Sequence, residues 1–481
     1  MSDQEIDQFQ QTEDELEQAT SFWHENKRSW IIISIATIIS ITLFYIMPYD
    51  VNAKKGLCLL VFIATLWLSE AVHITITALL VPILVILLGI QKVEKDGTLT
   101  DISIKSVLNN FADPTIFLFF GGFALATALH MQKLDKKIAA KIISASGSHL
   151  GYAVIAICVV TAGLSMWISN TATAAMMLPL TLGILSNLDE KKEQNTFTFV
   201  LLAIAFSASI GGLGTIVGSP PNAIVSAALG YSFTDWMKVG MPLMLIFFPI
   251  MLLVLYFIFK PTLNTKISID SHNMIPWTQK RILTMVVFVI TAFCWIFSKK
   301  LSTLLGITLS DAFVALSAAG AIGVLGLAKW KDIAHGTDWG ILMLFGGGLA
   351  LSGVLQDSGA SAALGAEVSR LFGSVPLFVI ILVTAIFIVS LTEFTSNTAS
   401  AALLVPIFAT IAVELGLSKE SLVVVIGVGA SCAFMLPVAT PPNAIVFGTG
   451  YISQRQMLKA GGVLNIFCIT AITLYAYFFL A

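Results

Sequence analysis

Charged side chains are scarce in this sequence of 481 residues: 11% are Asp, Glu, Lys or Arg, whereas 57% are hydrophobic. Soluble proteins carry roughly 25% charged residues, so a chain this poor in charge cannot form the polar surface of a soluble protein. At about 20 residues per apolar span, the length leaves room for about a dozen membrane crossings. The composition therefore predicts a polytopic membrane protein that contacts membrane lipid.

The sequence also lacks a surplus of positive charge and any cluster of cysteines. The formal net charge is −2, which excludes a basic nucleic-acid-binding surface. The five cysteines stand singly in apolar stretches, so neither a disulfide framework nor a zinc site is indicated. Paired intramembrane Asp residues, a GxSxG turn and an HExxH motif are missing too. This argues against an intramembrane enzyme, and no cofactor is expected.

The amino terminus, residues 1–29, is acidic and lacks the basic start and short apolar run of a secretory signal. We interpret it as a cytoplasmic tail that precedes a first span at 30–55. About eleven crossings are predicted if the apolar segments beside the polar motifs are re-entrant or broken. With the amino terminus inside, most of the 26 Lys and Arg residues then lie on the cytoplasmic side, as the positive-inside rule expects.

Two pairs of nearly identical motifs predict a duplicated fold. Ser-Asn-Thr-Ala occurs at 169–172 and again at 396–399. Pro-Pro-Asn-Ala-Ile-Val follows in each half, at 220–225 and 441–446. A Pro-Pro pair cannot sit inside a continuous helix, so it marks a break in an apolar segment. Paired breaks at corresponding places in two halves indicate the substrate site of a transporter.

The motifs divide the chain into two repeats, and an odd number of crossings in each makes them inverted. The first predicted repeat covers 56–265 and contains a hairpin at about 151–187 and a broken helix at about 197–230. The second covers 280–481 and contains a hairpin at about 375–415 and a broken helix at about 421–450.

The predicted site is almost without charge. Around the four motifs Glu393 is the only Lys, Arg, Asp, Glu or His. We interpret it as a capping or packing residue that points away, with attraction of cations as the alternative. Helix N-termini, Asn amides and hydroxyl groups can bind an anion, and unwound carbonyls suit a hard cation. Because a buried dianion without a cationic side chain is costly, co-transported cations are expected.

The segments Ser165-Met166-Trp167-Ile168-Ser169-Asn170-Thr171 and Thr392-Glu393-Phe394-Thr395-Ser396-Asn397-Thr398, together with the two Pro-Pro-Asn motifs, resemble the divalent anion/sodium symporter family. The resemblance is to its bacterial, sodium-dependent dicarboxylate transporters of the INDY type. It implies about eleven spans, two re-entrant hairpins, a homodimer in the bacterial inner membrane and an elevator mechanism with scaffold and transport domains.

The resemblance also implies the site residues. A first sodium site would use Ser165, Ser169, Asn170 and backbone near Gly218; a second would use Thr392, Ser396, Asn397 and backbone near Ala439. The dicarboxylate would contact Asn170, Thr171, Ser219, Asn397, Thr398, Thr440 and Pro441.

Several alternatives stay open. A sodium-independent dicarboxylate exchanger would share the fold. A proton antiporter would need buried titratable carriers, of which the motif cores offer only Glu393. The sequence does not rank succinate, malate, fumarate and citrate, and it does not exclude sulfate.

Overall fold

Helices dominate the computed structural model, which describes residues 27–94, 96–186, 188–190, 192–266, 275–373 and 375–481. The first half contains α1 (Lys27–Ile46), α2 (Val51–Ser69), α3 (Ile74–Leu87), α4 (Ile104–Leu108), α5 (Pro114–Met131), α6 (Leu134–Ala145), α7 (Leu150–Ser165), α8 (Asn170–Leu185), α9 (Gln194–Gly211), α10 (Pro220–Leu229) and α11 (Phe233–Phe259). The second half contains α12 (Gln279–Ile296), α13 (Ser298–Leu305), α14 (Asp311–Val324), α15 (Trp330–Gly336), α16 (Trp339–Asp357), α17 (Ala360–Phe372), α18 (Leu377–Thr392), α19 (Asn397–Glu414), α20 (Lys419–Ala430), α21 (Pro441–Phe447) and α22 (Gln454–Phe479).

Nine helical segments within the described ranges are long and apolar enough to cross a membrane. Shorter apolar helices, among them α7, α8 and α18, accompany them. The prediction of a helical, polytopic membrane protein is confirmed, while the count of about eleven crossings stays a prediction. The sequence analysis missed one feature, a small antiparallel sheet in which β1 (Gln91–Val93) pairs with β2 (Leu99–Asp101).

Two helices, α9 and α20, form the centre of the fold. Every residue of α9 from Thr196 to Gly211 is buried, and so is every residue of α20 from Ser421 to Ala430. A helix that is apolar on all sides must be covered on all sides. Helices α7, α8 and α11 pack around α9, and α18, α19 and α22 pack around α20. The helices around α9 come from the first half of the chain and those around α20 from the second, so each repeat forms one bundle.

The short helices that follow the breaks cross between the two bundles. Helix α10, from the first repeat, packs against α19 and α20 of the second. Helix α21, from the second repeat, packs against α8 and α9 of the first. This exchange interlocks the bundles, and it brings both breaks and both hairpin tips to one place.

The breaks themselves have the backbone that the prolines require. Helix α9 ends at Gly211 and passes through two 3-10 turns, Gly212–Gly214 and Ile216–Gly218, before α10 begins at Pro220. In the second repeat α20 ends at Ala430, and α21 begins at Pro441. Ser219 and Thr440, the residues before each Pro-Pro pair, are both extended, with φ of −148° and −143°, as expected for a residue that precedes proline.

Candidate functional site

The four motifs line a single cavity of about 1410 Å³. Eleven of the predicted site residues contribute to its wall: Ser169, Asn170, Thr171, Gly218, Ser219, Ser396, Asn397, Thr398, Ala439, Thr440 and Pro441. The two others, Ser165 and Thr392, do not line the cavity and are fully buried behind it. The structure therefore brings all thirteen positions into one region, in two layers.

The buried hydroxyls Ser165 and Thr392 have equivalent surroundings. Ser165 Oγ lies 2.6 Å from Asn170 Oδ1 and 2.7 Å from the carbonyl oxygen of Ala208. Thr392 Oγ1 lies 2.6 Å from Asn397 Oδ1 and 2.8 Å from the carbonyl oxygen of Ala430. A hydroxyl has only one hydrogen to donate, so one acceptor in each group is left without it. Each repeat thus holds a neutral oxygen group, in which three close oxygens share one hydrogen.

Four helices begin at the cavity wall. Helices α8 and α19 start at Asn170 and Asn397, while α10 and α21 start at the Pro-Pro pairs. Ser169 Oγ caps α8 by accepting from Ala172 N at 3.3 Å, and Ser396 Oγ caps α19 by accepting from Ala399 N at 3.4 Å. Because a helix N-terminus carries partial positive charge, each of these ends locally favours an anion at the motif wall.

Two further asparagines hold the breaks in shape, a role that the sequence analysis missed. Asn222 Nδ2 donates to the carbonyl oxygens of Gly212 and Thr215, both at 2.7 Å. Asn443 Nδ2 donates to those of Ala433 and Leu436, at 3.1 and 3.0 Å. Both side chains are fully buried. The sequence shows the Asn of the Pro-Pro-Asn motif in both repeats. The carbonyl groups that it binds lie seven and ten residues upstream, and only the folded structure reveals them.

Glu393 caps the second break, so its interpretation as a capping residue is confirmed. Its side chain is buried, with 2% exposure. The carboxylate accepts from Phe434 N at 2.9 Å, from Met435 N at 3.0 Å and from Leu436 N at 3.2 Å. Asn465 Nδ2 also donates to it, at 2.7 Å. Glu393 is thus turned towards the backbone of the break, and it does not line the cavity.

Residues outside the motifs add charged side chains to the lining of the cavity, which the count of charges around the motifs alone did not reveal. Its ionisable side chains are Arg28, Glu70, His130, Asp135, Asp332, His335 and Asp338. They come from α1, from the end of α2 and from α5, α6, α15 and the turn before α16. The cavity therefore combines the uncharged helix ends and polar groups of the motifs with four carboxylates from other segments.

Within the described ranges, no three His, Cys, Asp or Glu side chains come together as a metal site. A cation at the motif wall would therefore bind to hydroxyl, amide and backbone carbonyl oxygens. Alkali cations are hard and accept such neutral oxygen ligands, whereas transition metals favour imidazole or thiolate.

Comparison with known proteins agrees with this geometry. Residues 26–480 match the family described as the sodium:sulfate symporter transmembrane region. The chain belongs to this family. It is therefore a multi-pass membrane transporter, and it is not an enzyme.

Curated members of the family cover nearly the whole chain. An uncharacterized transporter of Haemophilus influenzae is 53% identical over 460 residues, which cover 94% of this chain and 97% of that protein. A sodium-dependent dicarboxylate transporter, SdcS, of Staphylococcus saprophyticus is 34% identical over 474 residues, covering 91% of this chain and 88% of that protein. The resemblance to the divalent anion/sodium symporters is thus confirmed.

Solved structures share the fold at low sequence identity. The YdaH transporter of Alcanivorax borkumensis superposes with a TM-score of 0.58 at 14% identity, over 85% of this chain and 99% of that one. MtrF of Neisseria gonorrhoeae gives a TM-score of 0.55 at 13% identity, over 86% and 97%. These likenesses support the helical transporter architecture only.

Proposed function

We propose that the chain is a secondary transporter that imports C4 dicarboxylates, such as succinate, malate and fumarate, together with sodium ions. The observation that carries the proposal is the uncharged motif wall, where two matched oxygen groups lie beside four helix N-termini. The relative SdcS, a sodium-dependent dicarboxylate transporter, supports the same chemistry.

Each oxygen group would hold one sodium ion. In the first, Ser165, Ser169 and Asn170 would act with backbone near Gly218. In the second, Thr392, Ser396 and Asn397 would act with backbone near Ala439. The short distances from Ser165 Oγ and Thr392 Oγ1 to two oxygens each support this, because a cation satisfies the acceptors that a single hydrogen cannot.

The dicarboxylate would bind between the two sodium ions, in contact with Asn170, Thr171, Ser219, Asn397, Thr398, Thr440 and Pro441. Each of the two asparagines turns its Oδ1 to a buried hydroxyl, so its Nδ2 hydrogens are the donors left for a carboxylate. A dianion in such a neutral wall is costly unless positive charge accompanies it. Sodium supplies that charge, and this couples the two ligands.

The interlocked bundles support an elevator movement. Because α10 and α21 each pack into the opposite repeat, the two hairpins and both breaks would travel as one body, the transport domain, against a scaffold that forms a homodimer. The remaining parts of the proposal are a bacterial inner membrane, a cytoplasmic amino terminus and about eleven crossings.

An exchanger that swaps dicarboxylates without sodium is the second candidate, and uptake into proteoliposomes separates the two. We expect uptake of labelled succinate to rise with an inward sodium gradient and to respond to membrane voltage. Uptake that needs dicarboxylate inside the vesicles and ignores sodium would establish exchange instead. Competition by unlabelled malate, fumarate, citrate and sulfate then ranks the anions, and liposomes without protein give the background.

A further inference from the structure

The proposed transport chemistry leaves the buried carboxylate of Glu393 unused. It directly follows Thr392, whose hydroxyl belongs to the second oxygen group. Its carboxylate contacts the backbone from Phe434 to Leu436, and this segment begins four residues after Ala430, whose carbonyl completes the same group. The carboxylate of Glu393 therefore belongs to the two chain segments that also supply Thr392 and Ala430 to the second oxygen group.

The first repeat has no counterpart to this charge. Met166 follows Ser165 in the first repeat, as Glu393 follows Thr392 in the second. Met244 corresponds to Asn465, because each stands four residues after an equivalent glycine, Gly240 or Gly461. A Cβ placed on Gly214, within the first break, would meet Met244 Sδ at 2.9 Å and Met166 Cε at 3.0 Å. Two methionines thus pack where the second repeat has a carboxylate and a carboxamide.

The contacts of Glu393 are those that an ionised carboxylate requires. Three successive backbone N–H groups and the Asn465 amide donate to its two oxygens, and charge-assisted bonds of this kind are among the strongest in proteins. In surroundings of low dielectric, a fixed charge acts strongly on a cation nearby. The same bonds hold the backbone of the break in place.

We infer that Glu393 is a positioning residue that makes the two sodium sites unequal: its buried charge gives the second site the higher affinity, so sodium fills that site before the first. The inference rests on the proposed sodium coupling. It assigns Glu393 no contact with sodium or with the dicarboxylate, because the carboxylate is turned to the backbone and does not line the cavity.

Sodium titrations of the purified transporter test the inference, with the thermal unfolding midpoint as the readout, since a ligand that binds the folded state raises this midpoint. Choline replaces sodium at constant ionic strength. In an Asn170→Ala background, which disables the first site, we expect Glu393→Gln to raise the half-saturating sodium concentration at least tenfold. In an Asn397→Ala background, which disables the second site, the same change should shift it less than twofold.

Equal shifts in the two backgrounds, or no shift in either, would overturn the inference, because a general structural effect does not discriminate between the sites. Met166→Gln is the matched control in the first repeat and should change neither titration more than twofold. If the wild-type protein shows no sodium response at all, the proposed sodium coupling fails, and that result is distinct from the failure of the asymmetry.

A second variant keeps the test valid should Glu393→Gln not fold. Transferring the pair into the first repeat, as Met166→Glu with Met244→Asn, places a carboxylate beside Ser165. We expect this variant to lower the half-saturating sodium concentration of the first site at least threefold, measured in the Asn397→Ala background. An unchanged or weaker response would contradict the inference independently of the first variant.

Discussion

The two repeats build equivalent breaks by partly different means. In both repeats a glycine lets the last long helix approach the broken segment. A Cβ on Gly240 in α11 would collide with the carbonyl oxygen of Leu213, and a Cβ on Gly461 in α22 with that of Phe434. Asn222 and Asn443 clamp both segments in the same way. Around these shared contacts, however, the first break is packed by methionines and the second is held by Glu393. The contrast between the methionines and Glu393 therefore involves side chains that do not line the cavity.

The largest effect is expected from the asparagines at the hairpin tips, where the two repeats should be equivalent. Asn170→Ala and Asn397→Ala each remove an oxygen from a sodium group and a donor from the cavity. Loss of one charge-assisted hydrogen bond costs about 1.5–3 kcal/mol and loss of a sodium ligand adds to it, so succinate uptake should fall at least about a hundredfold in either variant. Size-exclusion chromatography checks that both variants are folded. Normal uptake by either variant would show that only one repeat serves the site.

Glycine substitutions test whether the close approach at the breaks is shared. Gly240→Ala and Gly461→Ala each push a methyl group against backbone that cannot move aside, and overpacking of this kind costs about 1–3 kcal/mol. The thermal unfolding midpoint in detergent should drop for both. Gly163→Ala, in α7 with open space around its Cβ, is the control and should not lower it. A drop for one glycine only would mean that the breaks are packed differently.

The buried hydroxyls should affect sodium more than the maximal rate. Ser165→Ala and Thr392→Ala remove the central oxygen of each group, and the loss of one such ligand at about 1.4 kcal/mol raises the half-saturating sodium concentration roughly tenfold. Thr392→Ser introduces the residue type found at Ser165 and should change the half-saturating sodium concentration less than about threefold. The measurement is succinate uptake as a function of external sodium concentration. If the two alanine variants keep the wild-type sodium dependence, these positions are not sodium ligands.

The smallest effect concerns a bond found only in the first repeat. Trp236 Nε1 donates to the carbonyl oxygen of Leu213 at 2.9 Å, whereas Met457 occupies the corresponding place before Gly461. Trp236→Phe should lower the free energy of unfolding by about 1 kcal/mol, and Met457→Leu should change it little. Similar losses for the two variants, in thermal unfolding under the same detergent, would contradict this assignment of the bond.

Much of this arrangement could be predicted from the sequence. The prolines and the repeated Ser-Asn-Thr motifs locate the breaks and the hairpin tips, because their backbone preferences are local. The fixed spacing from Ser165 to Asn170, and from Thr392 to Asn397, already indicates one group of polar atoms in each half. The duplication adds the expectation that the two matched breaks meet at one cavity, and all four motifs do line one.

Three features depend on contacts between distant segments and could not be predicted. The clamps from Asn222 and Asn443 reach carbonyls in the preceding segment. The carboxylates of Asp332 and Asp338 line the cavity although neither residue belongs to the four motifs. The exchange of α10 and α21 between the repeats follows from packing alone, because neither helix carries a sequence signal for its partner.

The central claim is that an uncharged cavity wall binds a dianion only together with sodium. Equilibrium binding of labelled succinate to the purified protein tests it directly, in sodium chloride and in choline chloride at equal ionic strength. We expect saturable binding in sodium and affinity at least about a hundredfold weaker in choline, equal to about 2.7 kcal/mol. The same succinate affinity in both salts would contradict the account.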